Sequence, residues 1–133
     1  MSWTYNDVEF TSEMISDSLG FVYLITHLPT GKKYVGKKLF LSARTKVLKG
    51  KKKRYKVESD WKKYWSSSDV IKSMVAEEGE HAFSRQILHL CGNKGTLSYL
   101  EAREQMDRRV LEHPEEYFNG QIQCRIHWTH VKL

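Results

Sequence analysis

The segment from Gly20 to Lys38, Gly-Phe-Val-Tyr-Leu-Ile-Thr-His-Leu-Pro-Thr-Gly-Lys-Lys-Tyr-Val-Gly-Lys-Lys, constrains the fold of this chain more than any other. Residues 21–26 are β-branched and aromatic, Leu28-Pro-Thr-Gly-Lys supplies turn chemistry, and residues 33–36 resume an extended apolar pattern. Together they predict a β-hairpin with a short loop. Tyr23 and Tyr34 then sit one on each strand. Side chains alternate faces along a strand, and facing positions lie about 5 Å apart, so both phenols can point into one site. Gly36 admits the close approach of a backbone or a phosphate, and the lysines around it bring positive charge.

That charge is concentrated. Residues 32–63 hold 14 basic and 2 acidic side chains, so a chain of net charge +6 carries −6 over its other 101 residues. A cationic block beside a candidate site fits a polyanion, and nucleic acid is the first choice. Lys33, Lys38, Lys51, Lys52, Lys53, Arg54, Lys62 and Lys63 are the candidate nucleic-acid-binding residues. The competing reading of the block is a solvated lysine loop.

The 133 residues suit one domain, with residues 1–19 as an N-terminal arm and residues 20–133 as the main domain carrying a mobile basic loop at 49–60. In the arm, Trp3, Tyr5, Val8 and Phe10 favour packing on the domain over base stacking. Apolar residues at Leu39, Phe40, Ala43, Val47 and Leu48 predict a helix over 38–48 carrying Arg44. In 60–65, aromatics interleave with lysines, which suits either nucleic-acid contact or anchoring of the loop to the core. Residues 66–68 cap a helix that stops at Gly79, and residues 81–91 read as a strand. Thr96 caps a further helix running toward Pro114, and residues 122–128 alternate as a last strand. The order predicts an α/β (α+β) sandwich, a small central mixed and mainly antiparallel sheet flanked by helices.

No apolar run reaches the roughly 18 residues of a membrane span, and residues 1–17 lack the pattern of a signal peptide. Cys91 and Cys124 suggest no disulfide framework, so a reducing, cytoplasmic location is expected. His127 and His130 lie on the alternating strand pattern, where their spacing does not favour a shared zinc ion.

At the hairpin the chain resembles the GIY-YIG nuclease family. Phe21-Val22-Tyr23 stands at the first tripeptide and Tyr34-Val35-Gly36 matches the second; Arg44, ten positions after Tyr34, falls where the family places an arginine on the following helix. Glu101 and Asn119 continue the motif, so the resemblance covers residues 20 to about 120 and implies an antiparallel sheet flanked by helices. It also implies roles. Glu101 would bind a divalent ion, Mg²⁺ or Mn²⁺, with Glu104 as the competing ligand. Arg44 would grip the scissile phosphate bidentately, Lys37 matches a lysine that some members use, and Asn119 would fix the site by hydrogen bonding. Either tyrosine would handle the proton with help from a neighbouring cation.

Two departures stand out: Phe21 replaces the usual first glycine, and Leu48 stands where many members have a histidine or tyrosine, a role left to Tyr55, Tyr64 or His81, or to no residue at all. The implied function is a stand-alone, metal-dependent endonuclease hydrolysing DNA, of the short phage-type or homing-endonuclease-like kind, acting in a host cytoplasm. Sequence preference would come from the basic loop, from a homodimer or from a partner protein. The alternatives are a catalytically inactive nucleic-acid clamp using the basic loop, and a protein that binds an acidic partner.

Overall fold

The structure is a computed structural model describing residues 2–133. The N-terminal residues form two short strands, β1 (Thr4–Tyr5) and β2 (Val8–Glu9). The expected hairpin follows as β3 (Gly20–His27) and β4 (Lys33–Leu39), in a register that sets Tyr23 opposite Gly36 and Leu24 opposite Val35. A second hairpin, β5 (Leu41–Leu48) and β6 (Lys51–Glu58), makes a separate two-stranded sheet. Then come α1 (Asp69–Glu78), β7 (Phe83–Cys91) and α2 (Lys94–Asp107). The main sheet runs β2-β1-β7-β3-β4, antiparallel except where β1 lies parallel to β7. This is the mixed, mainly antiparallel sheet with flanking helices that the sequence implies.

Central position explains the composition of β3. Thr26 is its one residue that is not buried, because the strand is covered on both faces and so reads as a continuous apolar run. Phe21, Tyr23 and Ile25 face a layer built from Trp3, Phe10, Phe40, Trp61, Trp65 and Ile71 of α1. Val22 and Leu24 face Val35, Cys91 and, on α2, Leu97 and Leu100. Phe21 fills the first of these layers, its ring 4.6 Å from Phe40, so the departure from glycine is a packing change. The aromatic stretch 60–65 also belongs to this layer. Trp61 and Trp65 are buried there, with Trp3 donating its indole N–H to the Trp61 carbonyl at 2.7 Å. Arg85 of β7 is held between the rings of Trp3 and Trp65, 4.7 and 4.3 Å from their centroids, and donates to the carbonyls of Lys62 and Tyr64. Burial lowers its pKa to about 10, which leaves it charged at neutral pH.

Four sequence expectations change. Residues 38–48 are not a helix and residues 49–60 are not a loop: β4 ends at Leu39, β5 carries Arg44, and β6 takes up most of the basic run. Lys49 and Gly50 both have positive φ, 51° and 75°, which is the backbone of a two-residue hairpin turn. The alternation Leu41, Ala43, Thr45, Val47 is a period-two signal that the helical reading overlooked. Thr96 is not the cap of α2; Asn93 is, its side chain accepting from the Thr96 N–H at 2.8 Å. Residues 122–128 form no ladder: 116–119 engage β4 at Lys33 and Val35, and beyond Gly120 the chain attaches to α2 and its cap instead of the sheet. Their alternation instead turns Cys124, Ile126 and Trp128 toward a shallow groove beside Tyr99 of α2.

Candidate active site

β4 is an edge strand, and the chain closes that edge with a side chain. Lys33 N–H donates to the Glu116 carbonyl (2.9 Å) and Phe118 N–H to the Lys33 carbonyl (2.7 Å), a start at adding a parallel strand. Asn119 then takes over. Its Oδ1 accepts from the Val35 N–H at 3.0 Å and its Nδ2 donates to the Val35 carbonyl at 2.8 Å, so a buried amide stands in for a peptide group. Gln105 Nε2 reaches the same carbonyl at 3.1 Å. The chain departs at Gly120, and the uncovered edge opens into a cleft of about 630 Å³.

Both faces of the sheet contribute to that cleft. Tyr34 and Ser67 come from the α1 side, with Tyr34 Oη and Ser67 Oγ 3.1 Å apart. From the other side come Lys37 of β4 and Ser98, Glu101 and Gln105 of α2. Lys37 Nζ donates to Ser98 Oγ at 2.8 Å and lies 3.9 Å from a Glu101 carboxylate oxygen. The Glu101 side chain is 15% exposed, and burial raises its pKa against the opposing pull of Lys37. One turn along, Gln105 Oε1 is buried and has no hydrogen-bond partner among the described residues.

Tyr34, Lys37, Glu101 and Asn119 therefore line one cleft, while Tyr23 lies a layer beneath. Its ring stacks on Tyr34 at 6.2 Å and meets the Tyr64 ring edge-on at 5.9 Å. Burial, first of all, pushes the Tyr23 phenol well above its ordinary pKa, and burial raises Tyr64 as well. Gly36 serves this packing: a Cβ there would come 2.5 Å from Tyr23 Cζ, so the phenol, and not an incoming phosphate, is what occupies the space over the glycine. Glu104, the competing carboxylate, points elsewhere and is engaged by His89 (2.7 Å) and Arg108 (3.0 Å), which hold its pKa down despite its burial.

Arg44 does not join the cleft. It is exposed on β5 opposite Tyr55, and Leu48 is exposed at the hairpin tip, so neither position can play a helix-borne role. Of the residues named in place of Leu48, Tyr64 reaches the tyrosine cluster; Tyr55 lies under Lys46 on the ribbon, and His81 packs over Gly79. Lys51, Lys52, Lys53 and Arg54 are exposed on β6 and Lys63 is exposed beside Trp61. Lys62 lies over Trp61, Lys33 is tied to the Gly31 carbonyl, and Lys38 pairs with Asp60 at 2.7 Å above the Tyr64 ring. Sequence pattern alone did not single out Ser67, Ser98, Gln105 or Arg125. Ser98 and Gln105 had a usable signal, three and four residues from Glu101 on one helix face; Ser67 and Arg125 reach the cleft only through tertiary folding.

Residues 3–122 match the family model described as putative endonuclease segE, GIY-YIG domain. The chain belongs to the GIY-YIG family. No curated protein and no solved structure matches it. Membership makes this a domain of a nuclease family, one whose members typically use divalent metals. The GIY-YIG match takes in β1 and β2 and ends before the last eleven residues. No helix among the described residues is long and apolar enough to cross a membrane.

Proposed function

We propose that the cleft at the β4 edge is the active site of a divalent-metal-dependent endonuclease that hydrolyses DNA phosphodiester bonds. The observation that carries this reading is the convergence, on one cleft of a GIY-YIG domain, of a largely buried carboxylate, a lysine, a tyrosine and an amide whose oxygen has no partner among the described residues.

The donors suit a hard cation. Glu101 and Gln105 offer oxygen only, matching Mg²⁺ or Mn²⁺ better than zinc. Among the described residues the one cluster of three ligating side chains, His113, Glu115 and Glu116, lies outside the cleft. When bound, the ion supplies positive charge to the phosphate and the leaving 3′ oxygen. Glu101 holds it as the carboxylate, and Lys37 favours that ionised form. Tyr34 is the member of the Tyr23–Tyr34–Tyr64 cluster that lines the cleft, so as the phenolate, with its own proton released to solvent and Lys37 as the cation of the same cleft, its Oη accepts the proton from the attacking water. Tyr23 and Tyr64 keep their protons, and Tyr23 backs the Tyr34 ring while Ser67 meets its Oη.

The β5–β6 ribbon holds the DNA. Residues 42–57 carry eight basic and no acidic side chains, and a two-stranded ribbon fits a major groove about 12 Å wide. Sequence preference therefore resides in the ribbon. Incubating supercoiled plasmid with the protein in Mg²⁺ at low salt tests the reading. Nicked or linear product that vanishes in EDTA and with Glu101→Ala is the expected result; binding without product in either Mg²⁺ or Mn²⁺ would overturn it in favour of a nucleic-acid clamp.

A further inference from the structure

A phosphodiester in this cleft calls for a bidentate donor, because two parallel N–H groups match the geometry of two phosphate oxygens and a lysine ammonium does not. Arg44 is on the ribbon, so another residue has to supply it. We propose that Arg125, in the tail beyond the family match, grips the scissile phosphate. The proposal rests on the nuclease reading of the cleft.

Other arginines are committed or distant. Arg85 is buried between two tryptophans, Arg108 is paired with Glu104, Arg103 lies over Tyr99, Arg54 is on the ribbon, and Arg109 is exposed outside the cleft lining. Arg125 lines the cleft together with Tyr34, Lys37 and Glu101. It is exposed, and its side chain has no hydrogen bond or ion pair among the described residues, so its donors are available to a ligand.

The tail that carries it is also docked. Lys132 N–H donates to Thr96 Oγ1 at 2.7 Å, Asn93 Nδ2 donates to the His130 carbonyl at 3.3 Å, and Cys124 Sγ lies 3.8 Å from the Ser98 carbonyl. His130 passes so close to Gly95 that a Cβ there would come 2.7 Å from its own Cβ. Each of these attachments is to α2 or its cap, and α2 also carries Glu101. Arg125 is thereby held on the same support as the candidate metal ligand, on the cleft side of its Cys124 attachment. With Lys37 it gives the phosphate two cations of different geometry.

The test compares wild type with Arg125→Ala, Arg125→Lys, Arg44→Ala and Gly95→Val. Each is assayed for single-turnover cleavage of a duplex at saturating protein and for duplex affinity in EDTA. Arg125→Ala is expected to lower the saturated rate about 10²-fold while changing affinity less than about 3-fold, and Arg125→Lys to recover little of the loss. Gly95→Val, which displaces the tail and leaves Arg125 in the chain, should lower the rate in the same direction. Arg44→Ala, on the ribbon, should weaken affinity more than Arg125→Ala does and lower the saturated rate less. A wild-type rate in Arg125→Ala, or the loss appearing in Arg44→Ala instead, overturns the assignment. Thymidine 3′,5′-bisphosphate gives a readout without turnover: its titration should shift the Arg125 Nε–Hε resonance, and Arg125→Ala should weaken its binding about 10-fold. No shift overturns the role of Arg125. A shift in a protein that cuts no DNA supports Arg125 and faults the nuclease reading.

Discussion

The β3–β4 and β5–β6 hairpins follow one another in the chain, are antiparallel and nearly equal in length, and differ in what their residues answer to. In the first, β3 is buried almost throughout and β4 is fitted to it: Gly36 leaves room for the Tyr23 phenol, and Val35 is gripped by Asn119 and Gln105. In the second, none of the sixteen strand residues is buried, and Lys46 stands directly opposite Lys53. A lone two-stranded ribbon is marginal in water, and like charges facing each other weaken it further. Internal packing therefore accounts for the first hairpin and not for the second. Under the proposed function the second is the element that holds DNA, and phosphates are the neighbours its charge would answer to.

Substitutions that separate the two hairpins sharpen this contrast. The largest effect is expected at the cleft that β4 borders: Glu101→Ala should slow cleavage at least about 10²-fold and leave folding intact. The sign of its stability effect is set by burial. A carboxyl whose folded pKa is raised contributes stability below its unfolded pKa and loses it as pH rises through the folded value, so at neutral pH Glu101→Gln should be as stable as wild type or more so. Urea denaturation at pH 7 and pH 4.5 checks this, and a large loss at pH 7 would contradict it.

Next come changes within the packed hairpin. Gly36→Ala drives a methyl into Tyr23 and should cost about 1–3 kcal/mol in urea melts, and Asn119→Ala, which leaves the Val35 N–H buried without its acceptor, about the same. The matching change in the ribbon, Lys51, Lys52 and Lys53 all to Ser, should leave the melt unchanged or slightly improved. It should instead lower the slope of log affinity against log salt by about 3. A melt lowered by more than 1 kcal/mol would show that the ribbon is structural after all. The smallest effect is on pH dependence. Lys37 opposes the burial-driven rise of the Glu101 pKa, so Lys37→Met should move the acid limb of the pH–rate profile to higher pH; a shift to lower pH would contradict the pairing.

The same contrast explains what could be seen in the sequence. β3 and β4 were legible because burial imposes a composition, and α1 because Ser68 and Gly79 mark its ends. The ribbon was not, because lysines satisfy helix, loop and exposed strand equally and the decisive signal is the backbone of Lys49-Gly50. Within the site, Lys37, Glu101 and Asn119 were placed by the family pattern, and the cleft gathers them with Tyr34. Arg44 was carried to a helix that this chain replaces with a strand, and Tyr23 proved to be a core residue under the cleft. Ser67 and Arg125 gave no local sign, since nothing near them in the chain forecasts which distant surface they reach.

The most direct test is the single-turnover cleavage rate of a duplex in Mg²⁺ at protein concentrations that saturate binding, for wild type, Glu101→Ala and the triple ribbon variant. If the β4 edge does the chemistry and the ribbon the holding, the ribbon variant cuts within about 3-fold of wild type once saturated, while Glu101→Ala stays at least about 10²-fold slower. Equal loss in both variants at saturation, or cleavage by Glu101→Ala at the wild-type rate, would contradict that division of labour.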